Sequence, residues 1–370
     1  ARAARVAWRM RALGGDLVLL GQAHSRDPVA VRSTGYGSGA TPCEERLVGT
    51  FVARFPAGDL APTAATLRTG ALAVDFAWLP GAGELLVAEA TSGAHGAPQL
   101  SRHALPGPAH HRGPCQPQLG REDVFGAASA VEAFPYVGTH AFVVLQPFSG
   151  MLRLFTPGRH ASVVLGSPPY DTARDIFHSD PGGGLACASC HPEGGEDAHV
   201  WSLGDGPRRT QTLRGGIMET LPFHWDGRVR GLGAVMSDTF VNRMNGPVLT
   251  AEQVDALGQY LDELPAVVPE ARDLEAVARG AQVFADQGCA GCHAGDDGTQ
   301  ADNVGVGGRL LQVPFLVGLA TRAPYFHDGC AATLDAVLEP CGEGLRVEHE
   351  VGAQLTAAAR ADLVAYLSSR

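Results

Sequence analysis

Residues 187–191 read Cys187-Ala188-Ser189-Cys190-His191, and residues 289–293 read Cys289-Ala290-Gly291-Cys292-His293. Two thiols three positions apart lie on one helical turn, within reach of the two vinyl groups of one porphyrin. The histidine that follows aims its imidazole at the metal from the same side. With 8 Cys and 14 His in 370 residues, one chance copy is expected on the order of 0.01 times, which rules out two by accident. A bare Cys-x-x-Cys reads as zinc or thiol redox chemistry. The histidine completing both copies moves the reading to two covalently bound haem c groups, with iron ligated by His191 and His293.

Working outward, both motifs sit in the same order of elements. Arg174 and Phe177 precede the first, and Arg279 and Phe284 precede the second. Thr250 lies seven residues before Leu257, and Thr356 lies seven before Leu363; each opens a run with apolar residues on one helical face. Asp273 caps a third such run, through Leu274, Val277, Ala281 and Phe284. Helix, haem motif, loops and closing helix, twice over, predict two tandem all-α cytochrome c-type domains, 169–268 and 269–370.

The first 168 residues read differently. Apolar bursts at Asp16–Leu20, Glu84–Ala88 and Ala141–Leu145 are each followed by a second short strand, as at Leu100–His103 and Met151–Leu154. Gly/Pro-rich stretches separate them. This predicts an N-terminal all-β domain, residues 1–168, built from hairpin units that resemble β-propeller blades. About three units are visible, against roughly four to eight in a closed propeller, so a fragment, a sheet completed by other strands, and a sandwich all stay open.

Apolar residues at 45% supply a sizeable core, and a net charge of −11 disfavours nucleic acid and anionic membranes as partners. An acidic surface suits a basic redox protein or serves solubility. No apolar run approaches the ~20 residues of a membrane span. The opening Ala1-Arg2-Ala3-Ala4-Arg5 predicts a chain that starts after a removed segment. Outside the haem motifs stand Cys43, Cys115, Cys330 and Cys341. An even remainder predicts disulfides Cys43–Cys115 and Cys330–Cys341 and a periplasmic or otherwise exported protein. His110-His111 reads as a solvated loop.

A haem has a second face, where a strong ligand makes an electron-transfer centre and an open or displaceable position admits peroxide. For the first haem His199 is the nearest candidate, with Met218, Met236 and Met244 as alternatives. No Met follows Cys292, so the second domain lacks a Met of its own for its haem. Its candidates are His349, His327, Tyr325, Cys341 or none.

Further segments carry a resemblance. Phe177, Gly206-Pro207-Arg208, Phe223-His224-Trp225-Asp226-Gly227-Arg228, Val313-Pro314-Phe315-Leu316 and Ala323-Pro324-Tyr325-Phe326-His327-Asp328-Gly329 look like the motifs of the bacterial di-haem cytochrome c peroxidase superfamily, which includes MauG. The resemblance covers about residues 170–370. It implies a peroxide-binding first haem, an electron-passing second haem, and Trp225 between them assisting transfer. It also places His199, in His199-Val200-Trp201, where the peroxidases carry a removable distal ligand.

Three departures from that pattern matter. The second haem's distal ligand position falls on Cys341, where a disulfide with Cys330 competes with thiolate ligation and His349 becomes the better candidate. The distal acid of the peroxide pocket is replaced near Asn242-Arg243-Met244, although Arg243 can stabilise negative charge on a leaving oxygen. Arg209 stands where the family has a calcium-binding Asn, which argues against calcium.

These readings predict a di-haem peroxidase: hydrogen peroxide reduced at haem 1, electrons relayed from haem 2 through Trp225, with Arg243 and His199 at the reaction site. A small cytochrome or cupredoxin, or residues of a protein substrate in the manner of MauG, would supply the electrons. A non-catalytic di-haem electron-transfer cytochrome is the alternative.

Overall fold

The computed structural model describes residues 2–25, 47–59, 63–69, 72–79, 81–91, 99–106, 116, 118–124, 128–137, 139–146, 149–166, 171–203, 206–306, 309–341, 349 and 351–370. Its contacts divide the chain into two compact units, Ala1–Pro192 with Asp238–Gln253, and Glu193–Ser237 with Val254–Arg370. Cys43, Cys115 and His110-His111 lie outside the described residues.

The first unit begins with three four-stranded antiparallel sheets, each a meander of consecutive strands. Sheet one holds β1 (Arg2–Leu13), β2 (Asp16–Ser25), β3 (Val48–Phe55) and β4 (Thr63–Leu67). Sheet two holds β5 (Leu72–Leu79), β6 (Glu84–Thr91), β7 (Gln99–Ala104) and β8 (Gly120–Asp123). Sheet three holds β9 (Ala130–Tyr136), β10 (Thr139–Gln146), β11 (Met151–Thr156) and β12 (Arg159–Val164). The turn from β1 to β2 is Gly14-Gly15, with φ +59° and +95°. Positive φ at both central residues matches the twist of a two-residue hairpin, and glycine adopts it without strain.

Sheet two is the middle layer. Leu85 and Val87 pack with Val18, Leu20 and Val52 of sheet one. The alternate residues Leu86 and Ala88 pack with Val131 and Val144 of sheet three. A strand buried on both faces needs apolar residues at every position, which accounts for the unbroken run Leu85–Ala88. By contrast, all six residues of β12, at the outer edge of sheet three, are exposed.

One carboxylate ties the three sheets together. Asp75 of β5, fully buried, accepts from Arg9 Nε at 2.9 Å, from Arg11 Nη2 at 3.3 Å and from the Val131 amide at 2.9 Å. Arg11 also bonds Glu132 of β9. Three blade-like sheets are therefore present, but no strand joins sheet one to sheet three among the described residues, and the closed propeller is not formed.

Helices follow from residue 172: α1 (Thr172–His178), α2 (Cys187–Cys190), α3 (Leu232–Val235), α4 (Ala251–Asp262), α5 (Leu274–Asp286) and α6 (Ala357–Ser368). Their start signals work as the sequence predicts. Thr250 Oγ1 accepts from Gln253 N at 3.3 Å, while Gln253 Oε1 accepts from Thr250 N at 2.9 Å. Asp273 accepts from Ala276 N at 2.9 Å, and Thr356 from Ala359 N at 3.2 Å. None of these helices is long and apolar enough to cross a membrane.

The expectation of helix alone beyond residue 169 is corrected in two places. Two-stranded ribbons form at β13 (Val200–Leu203) with β14 (Gly206–Arg209), and at β15 (Asn303–Val306) with β16 (Arg309–Gln312). Their strands have four residues each, too short to show an alternating pattern in sequence.

Within the second unit α5 and α6 cross at Gly280. A Cβ there would stand 2.0 Å from the Asp362 carbonyl oxygen and 2.7 Å from Tyr366 Cβ. Glycine allows the contact, and Arg279 fastens it with paired 2.8 Å bonds to Asp362. The cluster beside it gathers Phe284, Leu316, Leu319, Tyr325, Leu363 and Leu367.

Candidate functional site

In the first unit α2 presents Cys187 and Cys190 on one turn. The His191 amide donates to the Cys187 carbonyl at 2.9 Å, so the histidine follows directly at the helix end. Ser189 steadies the turn by accepting from the Ala186 amide at 3.0 Å. Burial pushes the Cys187 thiol up to about 12, so before any thioether forms it is a neutral thiol at physiological pH. Close approach of Met244 shapes the chain ahead of the turn: a Cβ on Gly183 would lie 2.7 Å from the Met244 carbonyl oxygen. Met244 is itself 2% exposed. Arg243 is paired with Asp238 at 2.7 Å, and both side chains are partly exposed.

The second motif lies in the second unit. Here too the histidine amide, that of His293, donates to the first cysteine carbonyl, Cys289, at 2.9 Å. His293 Nδ1 is 2.8 Å from the Gly298 carbonyl oxygen. A carbonyl only accepts, so Nδ1 carries the proton and Nε2 keeps the lone pair that a metal needs. Burial lowers the His293 pKa, which favours the same neutral form. Gly298 cannot be replaced freely: its φ is +63°, and a Cβ would stand 2.9 Å from Leu316 Cβ.

Facing His293 is His349, with ring centroids 6.3 Å apart. A metal held on a line between two imidazole nitrogens at about 2 Å each separates the ring centres by about 6 Å. Phe326, 5.2 Å from His349, and the partly buried Cys289 and Val351 supply apolar surroundings. The donor set and its apolar shell fit a haem iron. Cys341 is taken by a disulfide to Cys330, with S–S 2.10 Å. Tyr325 is buried with its hydroxyl donating to the Leu319 carbonyl at 3.1 Å. His327 packs its ring 6.3 Å from Trp225.

His199 also belongs to the second unit, at the entry to β13. It is buried, its amide donates to Asp197 Oδ1 at 2.9 Å, and its ring meets Trp201 edge-on at 4.4 Å. Met218 and Met236 lie in this unit as well.

The turns around Trp225 and His327 are repeats of each other. The Phe223 amide donates to the Val229 carbonyl and the Tyr325 amide to the Ala331 carbonyl, both at 2.7 Å. His224 and Phe326 share positive φ, at 65° and 66°. Each turn accepts a bond from the last residue of a ribbon strand, β14 for His327 and β16 for Trp225. The Arg209 amide donates to the His327 carbonyl at 2.7 Å, and the Gln312 amide donates to the Trp225 carbonyl at 2.9 Å. The offset from Trp225 to His327 equals that from Cys187 to Cys289.

Trp225 is held by Arg209, and Arg209 in turn by two residues the sequence did not single out. Its indole N–H donates to the Arg209 carbonyl at 2.7 Å, and the Arg209 guanidinium carbon lies 5.7 Å from the ring centre. Arg209 bonds Glu196, and Arg322 Nε donates to the same carboxylate at 2.9 Å. A calcium ion does not fit against two buried guanidinium groups. Glu196 and Arg322 escaped notice because nothing local marks a carboxylate that waits for partners far along the chain.

Residues 277–370 match the cytochrome c family, so the chain carries a C-terminal cytochrome c domain with covalently bound haem c. Two solved structures are similar over about half the chain. Hydrazine synthase of Kuenenia stuttgartiensis is 23% identical, covering 50% of this chain and 81% of that one, with a TM-score of 0.44. A MauG-like protein associated with microbial copper homeostasis is 20% identical, covering 53% and 86%, with a TM-score of 0.42. No curated protein matches.

Proposed function

We propose that the chain is a di-haem c-type oxidoreductase of the cytochrome c peroxidase/MauG kind, reducing hydrogen peroxide at a first haem with electrons from a second. The cytochrome c domain makes the function haem-based redox chemistry. The observation that carries the finer reading is the placement of His293 opposite His349. His293 is oriented by Gly298 and faced by His349, the donor set of an electron-transfer centre. His191 shares its unit with Arg243 and Asp238, a cation and a carboxylate beside one another.

When bound, the haems supply iron that exchanges single electrons and, with an open coordination position, takes up peroxide. The protein's groups would then act as follows. His191 and His293 anchor the irons, with the cysteines fixing each macrocycle. Arg243 would stabilise negative charge on the departing oxygen, with Asp238, paired to it at 2.7 Å, holding it in place. Trp225 assists electron passage, and His199 serves as the displaceable ligand of the first haem. The division into 1–168, 169–268 and 269–370 belongs to this reading, as do export to the periplasm and a small cytochrome, cupredoxin or protein substrate as electron source.

The ion pair that occupies Arg243 favours a second reading, a non-catalytic di-haem carrier. Rapid mixing with hydrogen peroxide separates the two. The peroxidase reading expects a fast change in the haem absorption spectrum and a high-spin signal from one haem. Low-spin spectra in every redox state with no peroxide reaction would sink it. A mass of two haems retained after denaturation tests the attachment at Cys187/Cys190 and Cys289/Cys292.

A further inference from the structure

Trp225 sits beside an unusual charge arrangement. Arg209, Glu196 and Arg322 are a buried triad in which two guanidinium groups share one carboxylate; their side chains are 3%, 5% and 7% exposed. Glu196 receives Arg209 Nη1, Arg322 Nε and the Thr212 amide. The remaining Arg322 bonds go to neutral acceptors, the Phe315 carbonyl at 2.7 Å and the Val317 carbonyl at 3.3 Å. Guanidinium groups stay charged in proteins. The triad therefore carries a net positive charge in a site where water screens it weakly.

From this geometry we infer that Arg209 is a positioning residue that keeps Trp225 in its closed-shell form, so that electrons pass the indole without leaving it oxidised. The inference rests on the proposed relay role of Trp225 for its biological meaning, but its physical content does not. Two features of the site act together.

The first is charge. Removing one electron from the indole creates a radical cation, and the Arg209 guanidinium carbon lies 5.7 Å from the ring centre. Like charges at this range raise the energy of the oxidised indole. Within the triad Glu196 offsets one of the two guanidinium groups, which leaves one net positive charge on the three side chains. The second feature is the fate of the proton. An indole radical cation is relieved by losing its Nε1 proton to a base. Here that proton points at the Arg209 carbonyl at 2.7 Å, an acceptor that cannot take it away.

Position and charge come from the same residue. The Arg209 backbone fixes the indole N–H while its side chain lies over the ring, and its amide is anchored on the His327 carbonyl. The other well-placed indole in this unit differs. Trp201 donates from Nε1 to the Thr210 hydroxyl at 3.0 Å and packs edge-on against His199.

The test uses the full haem-loaded chain and a photogenerated ruthenium(III) polypyridyl oxidant. One electron moves from an indole to ruthenium(III), giving ruthenium(II) and an indole radical, which is freeze-quenched and read by electron paramagnetic resonance. Wild-type protein should give no component that W225F removes. R209Q keeps amide donors, leaves Glu196 paired with Arg322, and removes the charge. It should give at least about tenfold more Trp225 radical than wild type. A Trp225 radical in wild type, or a folded R209Q with no gain, overturns the inference.

If R209Q does not fold, the ultraviolet resonance Raman difference between wild type and W225F decides. It should carry the signature of an indole in contact with a cation, and its absence overturns the proposal. Neither measurement uses peroxide. A chain inert to peroxide would remove the proposed peroxidase function and leave this result standing.

Discussion

The imidazoles of His293 and His349 face one another with ring centroids 6.3 Å apart, although the two residues are far apart in sequence. Gly298 holds His293 in the tautomer that directs Nε2 outward. Replacing His349 by Ala should convert one haem from low to high spin, seen as a shift in the ferric absorption spectrum and a new high-spin resonance signal. Covalent haem content should not change, because Cys289, Cys292 and His293 are untouched. An unaltered spectrum would remove His349 from the coordination sphere.

In the proposed peroxidase Arg243, paired with Asp238 at 2.7 Å, would offer the charge for a departing oxygen. Loss of a transition-state donor of this kind costs about 10²-fold in turnover. R243Q should lower the peroxide-dependent rate by about that factor with the haem spectra unchanged, measured by stopped-flow absorbance.

The crossing of α5 and α6 at Gly280 leaves no room for a side chain. G280V should destabilise the cytochrome c domain by about 3 kcal/mol through overpacking, read as a fall in the melting temperature of the haem-linked transition. A tolerant G280V would mean that the two helices can separate without loss.

Asp75 clasps three sheets through Arg9, Arg11 and the Val131 amide. D75A leaves the Val131 amide and part of Arg11 without an acceptor. The expected loss is about 3 kcal/mol, the lower end for a broken buried ion pair because Arg9 and Arg11 retain some access to water. Chemical denaturation followed by far-ultraviolet circular dichroism measures it. The haem spectra should stay the same, since the clasp joins strands only.

Much of this molecule is written in short stretches of sequence. Cys-x-x-Cys-His sets the turns at 187–191 and 289–293 because five adjacent residues contain the whole geometry. Thr250, Asp273 and Thr356 start their helices because a cap bonds only two or three residues ahead. The run Leu85–Ala88 marks a strand covered on both faces. The even number of cysteines outside the two motifs points to a Cys330–Cys341 disulfide, and the fold decides it against a free Cys341. The ribbons β13–β14 and β15–β16 left no such trace, since four-residue strands are too short for a period to appear.

Other features exist only once the chain has folded. The sequence by itself determined the two Cys-x-x-Cys-His turns, the helix starts at Thr250, Asp273 and Thr356, and that no methionine follows Cys292. Tertiary structure decided that His349 faces His293, that Cys341 is occupied by a disulfide, and that Arg209 and Arg322 converge on Glu196 beside Trp225. Arg322 and Glu196 are separated by 126 positions. No local propensity encodes such a contact; it arises because burial forces each charge to find a partner wherever the fold brings one.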